Sequence, residues 1–259
     1  MKVVILCGGQ GTRIRDVAEN IPKPMIPIGG RPILWHIMKS YAQAGHDEFV
    51  LCLGHLGDVI KSFFLDYHAR TSDFTITLSQ TPEIEFHGAD EAGWKVTLVD
   101  TGGAVQTGAR VRRIRDHVAG GDDFMLTYGD GVADVDFDAL VAAHRSQDRT
   151  LTVTGVRPPG RFGELEHDGE GRVVEFNEKP QTTGGRISGG FFVCKQALFD
   201  VLDEGDDLVF EQQPMRRLVA DGEIAMYPHD GFWQCMDTPR DHRLLTDLWH
   251  SGRAPWKTW

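Results

Sequence analysis

Strand-like apolar runs alternate with helical periodicity through residues 1–156, and this alternation constrains the fold more than any single motif. Parallel neighbours need a crossover of a dozen or more residues, so a chain patterned this way builds βαβ units around a parallel sheet. The spacing predicts strands over 2–7, 49–53, 74–78, 95–100, 123–128 and 151–156, and helices over 31–44, 57–67, 105–117 and 138–146. Residues 80–94, with Pro82, Gly88 and Gly93, read as a polar loop. From Pro158 the elements shorten. They read as a hairpin over 162–166 and 173–178 around Asp168-Gly169-Glu170-Gly171, a strand over 188–194, helices over 196–202 and 211–221, a strand over 224–228 and a helix over 240–251. No repeat or low-complexity linker interrupts the chain, so residues 1–259 read as one α/β domain with an elaborated half over 157–259.

The first strand runs into Cys7-Gly8-Gly9-Gln10-Gly11-Thr12-Arg13, and a second fixed cation, Lys23, follows between Pro22 and Pro24. Glycines let backbone N–H groups approach phosphate oxygens closely, while Arg13 and Lys23 supply charge that peptide dipoles cannot. A P-loop would close on Gly-Lys-Ser/Thr, but here Gly11 is followed by Thr12-Arg13. A dinucleotide fingerprint would place a third glycine where Ile14 stands. Taken alone, the glycines read as a tight strand-to-helix turn; the two cations turn the reading toward a polyphosphate.

A net charge of −11 argues against nucleic acid as a partner, because that binding rests on many Lys and Arg contacts to phosphates. An acidic protein that holds a small anion must concentrate its cations locally, and Arg13, Lys23, Arg110 and Lys179 are the candidates. No apolar run reaches the roughly 18–20 residues that span a bilayer, and no charged segment leads an apolar stretch to a small-residue cleavage site. The expectation is a cytoplasmic protein without a membrane partner. Cys7, Cys52, Cys194 and Cys235 are widely separated in apolar segments without metal-ligand spacing, and read as buried reduced thiols.

The predicted strand over 123–128 delivers Gly129-Asp130-Gly131 at its carboxyl end, where open parallel sheets bind ligands, so Asp130 is placed for a metal. A turn residue is the plainer reading of the same aspartate. Asp237 follows Phe232-Trp233-Gln234-Cys235-Met236 and reads either as a second metal carboxylate or as the N-cap of the last helix. His36 and His144 read as surface or helix-packing residues, and Trp249, Trp256 and Trp259 as a docked tail or a subunit contact.

Together, Gly8 to Arg13 with Pro22-Lys23-Pro24, Gly129-Asp130-Gly131, Glu178-Lys179-Pro180 and the late aspartate resemble the sugar-1-phosphate nucleotidyltransferases. Ile33 to Met38, Val96 to Gly102, Thr127 to Asp134, Pro158 to Gly163 and the tail Ala254 to Trp259 are similar to the glucose-1-phosphate cytidylyltransferase branch of that family. The resemblance implies a Rossmann-like nucleotidyltransferase fold with a mostly parallel mixed central sheet flanked by helices. It further implies Mg²⁺ as cofactor, CTP and a sugar 1-phosphate as substrates, and a homo-oligomer, trimer or hexamer. By the same resemblance, residues 1–156 form the nucleotide-binding half and residues 157–259 the sugar-phosphate-binding and oligomerisation half.

Carried over by motif, Arg13, Lys23 and Asp130 are catalytic, and Asp130 and Asp237 hold the metal. Leu6, Cys7, Gly8, Gly9 and Gln10 hold the base and ribose, with Gly11, Thr12, Val105, Thr107, Arg110, Tyr128 and Gly129 completing the nucleotide site. Glu178, Lys179, Ser188 and Gly189 face the sugar phosphate. The chain departs from the pattern at Ser188, where relatives carry asparagine, at Val105, which replaces a small polar residue, and in the 80–94 loop. These departures leave open a uridylyl- or thymidylyltransferase, a different sugar 1-phosphate, and a non-catalytic nucleotide sensor.

Overall fold

The computed structural model describes residues 1–9, 11, 14, 20–88, 91, 93–158, 164–167, 172–177 and 185–259, with the side chains of 164–167 and 173–177 outside that description. In chain order the strands are Val3–Leu6 (β1), Pro27–Ile28 (β2), Arg31–Pro32 (β3), Glu48–Leu53 (β4), Asp73–Thr77 (β5), Glu83–His87 (β6), Lys95–Asp100 (β7), Asp123–Tyr128 (β8), Gly131–Ala133 (β9), Leu151–Val156 (β10), Glu164–His167 (β11), Val173–Asn177 (β12), Ile187–Lys195 (β13), Ile224–His229 (β14) and Trp233–Cys235 (β15). The helices are Ile33–Gln43 (α1), Gly57–Leu65 (α2), Tyr67–Thr71 (α3), Thr107–Arg113 (α4), Arg115–Val118 (α5), Phe137–Gln147 (α6), Gln213–Ala220 (α7) and Pro239–His250 (α8).

Seven strands form one sheet in the order β14-β10-β13-β8-β1-β4-β7. Only β13 runs against the others, so the sheet is mixed and mostly parallel, as expected. Alternate side chains of β1 feed two cores. Val3 and Ile5 pack with Ile37 and Tyr41 of α1, Leu140 of α6 and Leu245 of α8. Val4 and Leu6 pack with Val111 and Ile114 on the opposite face. A strand buried on both faces reads as an unbroken apolar run, which is why Val3-Val4-Ile5-Leu6 was legible.

Several boundaries differ from the sequence expectation, each for a local reason. The helix expected from Arg31 begins at Ile33 because Arg31 and Pro32 pair with Ile28 and Pro27 across Gly29 and Gly30, whose φ values of +59° and +87° form the turn. The helix expected over 57–67 stops at Leu65 and resumes as α3, and the one expected over 105–117 divides at Ile114. The segment 80–94 is not all loop. Ile84 and Phe86 alternate with acids and form β6, which pairs with β5 so that Phe74 faces Phe86 and Ile76 faces Ile84. This hairpin stands outside the main sheet, and all four apolar side chains are exposed. The hairpin expected after residue 162 is present as β11 and β12; its turn, 168–171, lies outside the described residues.

The C-terminal tail is docked. Trp256 is fully buried, with its ring 5.6 Å from Phe232 and 6.4 Å from Trp249. His36, on α1, meets this cluster edge-on and is also fully buried: its Nε2–H donates to the Ile28 carbonyl (2.9 Å), leaving Nδ1 to accept from the Trp256 indole (3.4 Å). Both His36 and His144 are therefore packing residues. Among the described residues no helix is long and apolar enough to cross a membrane.

Candidate active site

The carboxyl ends of β1 and β8 open onto a cavity of about 310 Å³. Of the residues singled out from sequence, Leu6, Cys7, Gly8, Gly9, Gly11, Lys23, Val105, Thr107, Arg110, Tyr128, Gly129, Asp130 and Asp237 line it. Gln10, Thr12, Arg13, Glu178 and Lys179 lie outside the described residues. Ser188 and Gly189 sit on β13 away from this lining, with Ser188 exposed and the Gly189 carbonyl accepting from the Trp233 indole (2.7 Å).

Lys23 lies at the centre of the charged groups. Its Nζ is 2.5 Å from an Asp130 oxygen and 2.5 Å from an Asp237 oxygen, and its side chain is 13% exposed. Burial alone would lower the Lys23 pKa, but Asp130 and then Asp237 outweigh it and hold the ammonium above its ordinary value. The two aspartates come from segments over a hundred residues apart, and the backbone holds them together. Strand β15 pairs with β9, placing Cys235 opposite Gly131, and the Met236 N–H donates to the Asp130 carbonyl (2.8 Å). Asp237 is not the N-cap of α8. Thr238 takes that place in a capping box with Asp241, and the Asp237 N–H donates to Asp241 (3.1 Å), leaving the Asp237 carboxylate for Lys23.

Arg110 works from beneath the glycine loop. Its guanidinium donates to the carbonyls of Leu53 (2.9 Å) and Gly8 (3.2 Å) and to the Thr101 hydroxyl (2.8 Å), and the residue is only 4% exposed. A Cβ at Gly8 or Gly54 would overlap this group, which explains both glycines without invoking an unusual φ. Three neutral acceptors hold this guanidinium at the cavity wall, and the charge of Asp100 acts on it from further off. Burial pulls its pKa down, yet a guanidinium stays charged at any neutral pH.

Glu211 was not found from sequence. It accepts from the Thr107 hydroxyl (2.7 Å) and from the Tyr128 hydroxyl, joining α4 to β8 at the cavity rim. No local motif marks such a partner, since it lies 104 and 83 residues from the groups it joins. Ile14, Pro24 and Gln106 also line the cavity without having been singled out. Burial and then Glu211 push the Tyr128 phenol up, so it remains a donor. Cys7 is an inert buried thiol, pushed well above its ordinary value by burial first.

The described residues contain no cluster of three or more metal-ligating side chains. Two carboxylates that share one cation suit a hard divalent ion completing its shell with water and phosphate oxygens, the usual mode for magnesium at nucleotide sites. The donor chemistry of Asp130 and Asp237 therefore fits the expected metal.

Comparison with known proteins places the chain in a family. Residues 2–238 match the family described as nucleotidyl transferase. The chain is similar to a glucose-1-phosphate cytidylyltransferase of Salmonella typhi, at 45% identity over 259 residues covering all of both chains. It is also similar to a mannose-1-phosphate guanyltransferase of Gibberella zeae, at 26% identity over 97% of this chain and 65% of that one. Among solved structures, HddC from Yersinia pseudotuberculosis superposes with a TM-score of 0.68 at 22% identity, covering 96% of this chain and 99% of the other, a likeness of fold.

Proposed function

Because the chain belongs to the nucleotidyl transferase family, we propose that it transfers a cytidylyl group from CTP to α-D-glucose 1-phosphate, giving CDP-glucose and pyrophosphate. The observation that carries this reading is the ammonium of Lys23 held between Asp130 and Asp237 beside a glycine loop backed by a buried guanidinium. The choice of CTP and glucose 1-phosphate rests on the full-length likeness to the cytidylyltransferase, which the distant guanyltransferase does not share.

A sugar 1-phosphate is an anion at neutral pH, so its oxygen attacks the α-phosphorus without a general base. One P–O bond forms to the α-phosphorus, the bond from that phosphorus to the bridging oxygen breaks, and pyrophosphate leaves with the electron pair. The protein's task is positioning and charge neutralisation. Asp130 and Asp237 would hold Mg²⁺, which supplies charge neutralisation at the phosphate oxygens. Arg110 holds the Gly8 backbone in place and adds fixed positive charge behind it. Lys23 and Arg13 neutralise the triphosphate, Leu6 to Thr12 with Val105, Thr107, Tyr128 and Gly129 receive the nucleoside, and Glu178, Lys179, Ser188 and Gly189 receive the sugar phosphate. This division assigns the nucleotide to residues 1–156 and the sugar phosphate to residues 157–259.

The substrates are small molecules, and the protein acts as a homo-oligomer. The exposed apolar face of the β5–β6 hairpin supports association, because an isolated two-stranded ribbon gains little stability alone. Light scattering tests the oligomer. Pyrophosphate release from CTP, UTP, dTTP, ATP and GTP, each with glucose 1-phosphate and Mg²⁺, tests the reaction. Release with CTP, abolished by EDTA, is expected; release only with another nucleotide would reassign the base, and release with none would remove the reading.

A further inference from the structure

We propose that Lys23 is a built-in counter-ion that keeps a divalent cation off Asp130 and Asp237 until nucleotide phosphate draws the ammonium away, so that metal and nucleotide load together. The inference rests on reading those aspartates as cation ligands. A single Nζ stands 2.5 Å from one oxygen of each carboxylate, so the ammonium already occupies both groups that would hold a shared metal ion. Ammonium and metal would therefore compete for the same two carboxylates.

The carboxylates are the fixed partners in that contest. The Met236 N–H bond to the Asp130 carbonyl and the Asp241 bond to the Asp237 N–H pin both backbones. Lys23, in contrast, carries its charge on a four-carbon stem rooted in the short turn Lys23–Met25. Its stem runs beside Gly11, where an added Cβ would lie 3.3 Å from Lys23 Cβ, so the lysine borders the glycine loop. Arg110 cannot move to the phosphates in its place, since three acceptors hold its guanidinium under Gly8. When anionic phosphates enter, Lys23 has a second partner and loosens its hold on the two carboxylates. Two ligands that each favour the same displaced lysine must strengthen one another's binding reciprocally. In the free protein the lysine also relieves repulsion between two carboxylates brought together by β9 and β15.

The test is Mn²⁺ binding to the full chain without nucleotide, read by electron paramagnetic resonance. Lys23→Met should bind Mn²⁺ roughly tenfold or more tightly than the parent, within the range of ordinary site-to-site coupling. Lys23→Arg, which keeps the charge, should remain near the parent, and adding Asp130→Asn to Lys23→Met should abolish the gain. Equal Mn²⁺ affinity in the parent and a folded Lys23→Met overturns the proposal, as does a Lys23→Arg that behaves like Lys23→Met. Should Lys23→Met not fold, the parent decides: saturating Mn²⁺ alone should raise acetylation of Lys23 by acetic anhydride several-fold, measured by mass spectrometry, and unchanged labelling refutes displacement. None of these readouts needs turnover, so absence of pyrophosphate release would count against the proposed reaction without deciding this point.

Discussion

Acidification should weaken the fold through one imidazole. His36 is fully buried among Trp35, Trp249 and Trp256, and desolvation first of all pulls its pKa from 6.5 to about 4. Its Nε2–H is committed to the Ile28 carbonyl, so a second proton must enter at Nδ1, which already receives the Trp256 N–H. Protonation would set two donors against each other. Below about pH 6.5 the unfolded chain binds this proton and the folded chain does not, so stability falls as pH drops from 6.5 toward 4. Integrating that difference gives a loss of about 2 kcal/mol at pH 5 and about 3 kcal/mol once both states are protonated. Urea unfolding followed by tryptophan fluorescence at pH 7.5 and pH 5.0 reads the effect. His36→Gln removes the titration, and its own cost cancels because only the change with pH is compared. Other buried histidines such as His144 titrate in both proteins. Between the two pH values the parent should lose about 2 kcal/mol more than the variant; equal losses would show that His36 is not held neutral by its burial.

Asp130→Asn should lower kcat about a hundredfold or more while the melting temperature stays within a few degrees, because it removes charge from the site but no core packing; near-parent turnover would remove Asp130 from the site. Gly8→Ala pushes a methyl into the Arg110 guanidinium, and the KM for CTP should rise about tenfold, equivalent to about 1.4 kcal/mol of binding; an unchanged KM would detach the loop from nucleotide binding. Trp256→Ala should cost about 3–5 kcal/mol in denaturant unfolding, as expected for emptying a fully buried indole site; a loss under about 1 kcal/mol would show that the tail is not part of the core. Burial pushes the Cys52 and Cys235 thiols up to about 12 and also raises Cys7 and Cys194 above their ordinary value, so a disulfide reagent at pH 8 should label no cysteine rapidly until denaturant is added.

The parts legible in sequence are those whose cause is local. The apolar run Val3 to Leu6 and its glycine loop, and Phe124 to Tyr128 followed by Gly129-Asp130, announce buried strands ending in ligand-binding turns. Much of the cavity lining follows from them. What escaped notice depends on distant pairing. Strand β9 is three residues long and has no meaning until β15 joins it, so the ladder that brings Asp130 to Asp237 leaves no periodic trace. Arg110 was named as a site residue from sequence, but its contact with the Gly8 carbonyl and its packing under Gly8 and Gly54 depend on residues far along the chain. Glu83–His87 was hidden because the strand is exposed on both faces and sits among turn-forming residues.

The single reversed strand has a bearing on synthesis. Strand β8 finds its outer neighbour, β13, only after more than fifty further residues have been made, because Asp123–Tyr128 pairs with Phe191–Lys195. Until the ribosome has delivered that segment, one edge of β8 stays open beside the half-formed cleft, and β10 and β14 have no sheet to join. A break near residue 156 would leave the fragment before it with a raw β8 edge and the fragment after it with β13 and no floor to lie on. The segments on either side of residue 156 are thus interleaved, with β13 inserted between β8 and β10 and β14 paired on β10's other edge, so neither is built as an independent module.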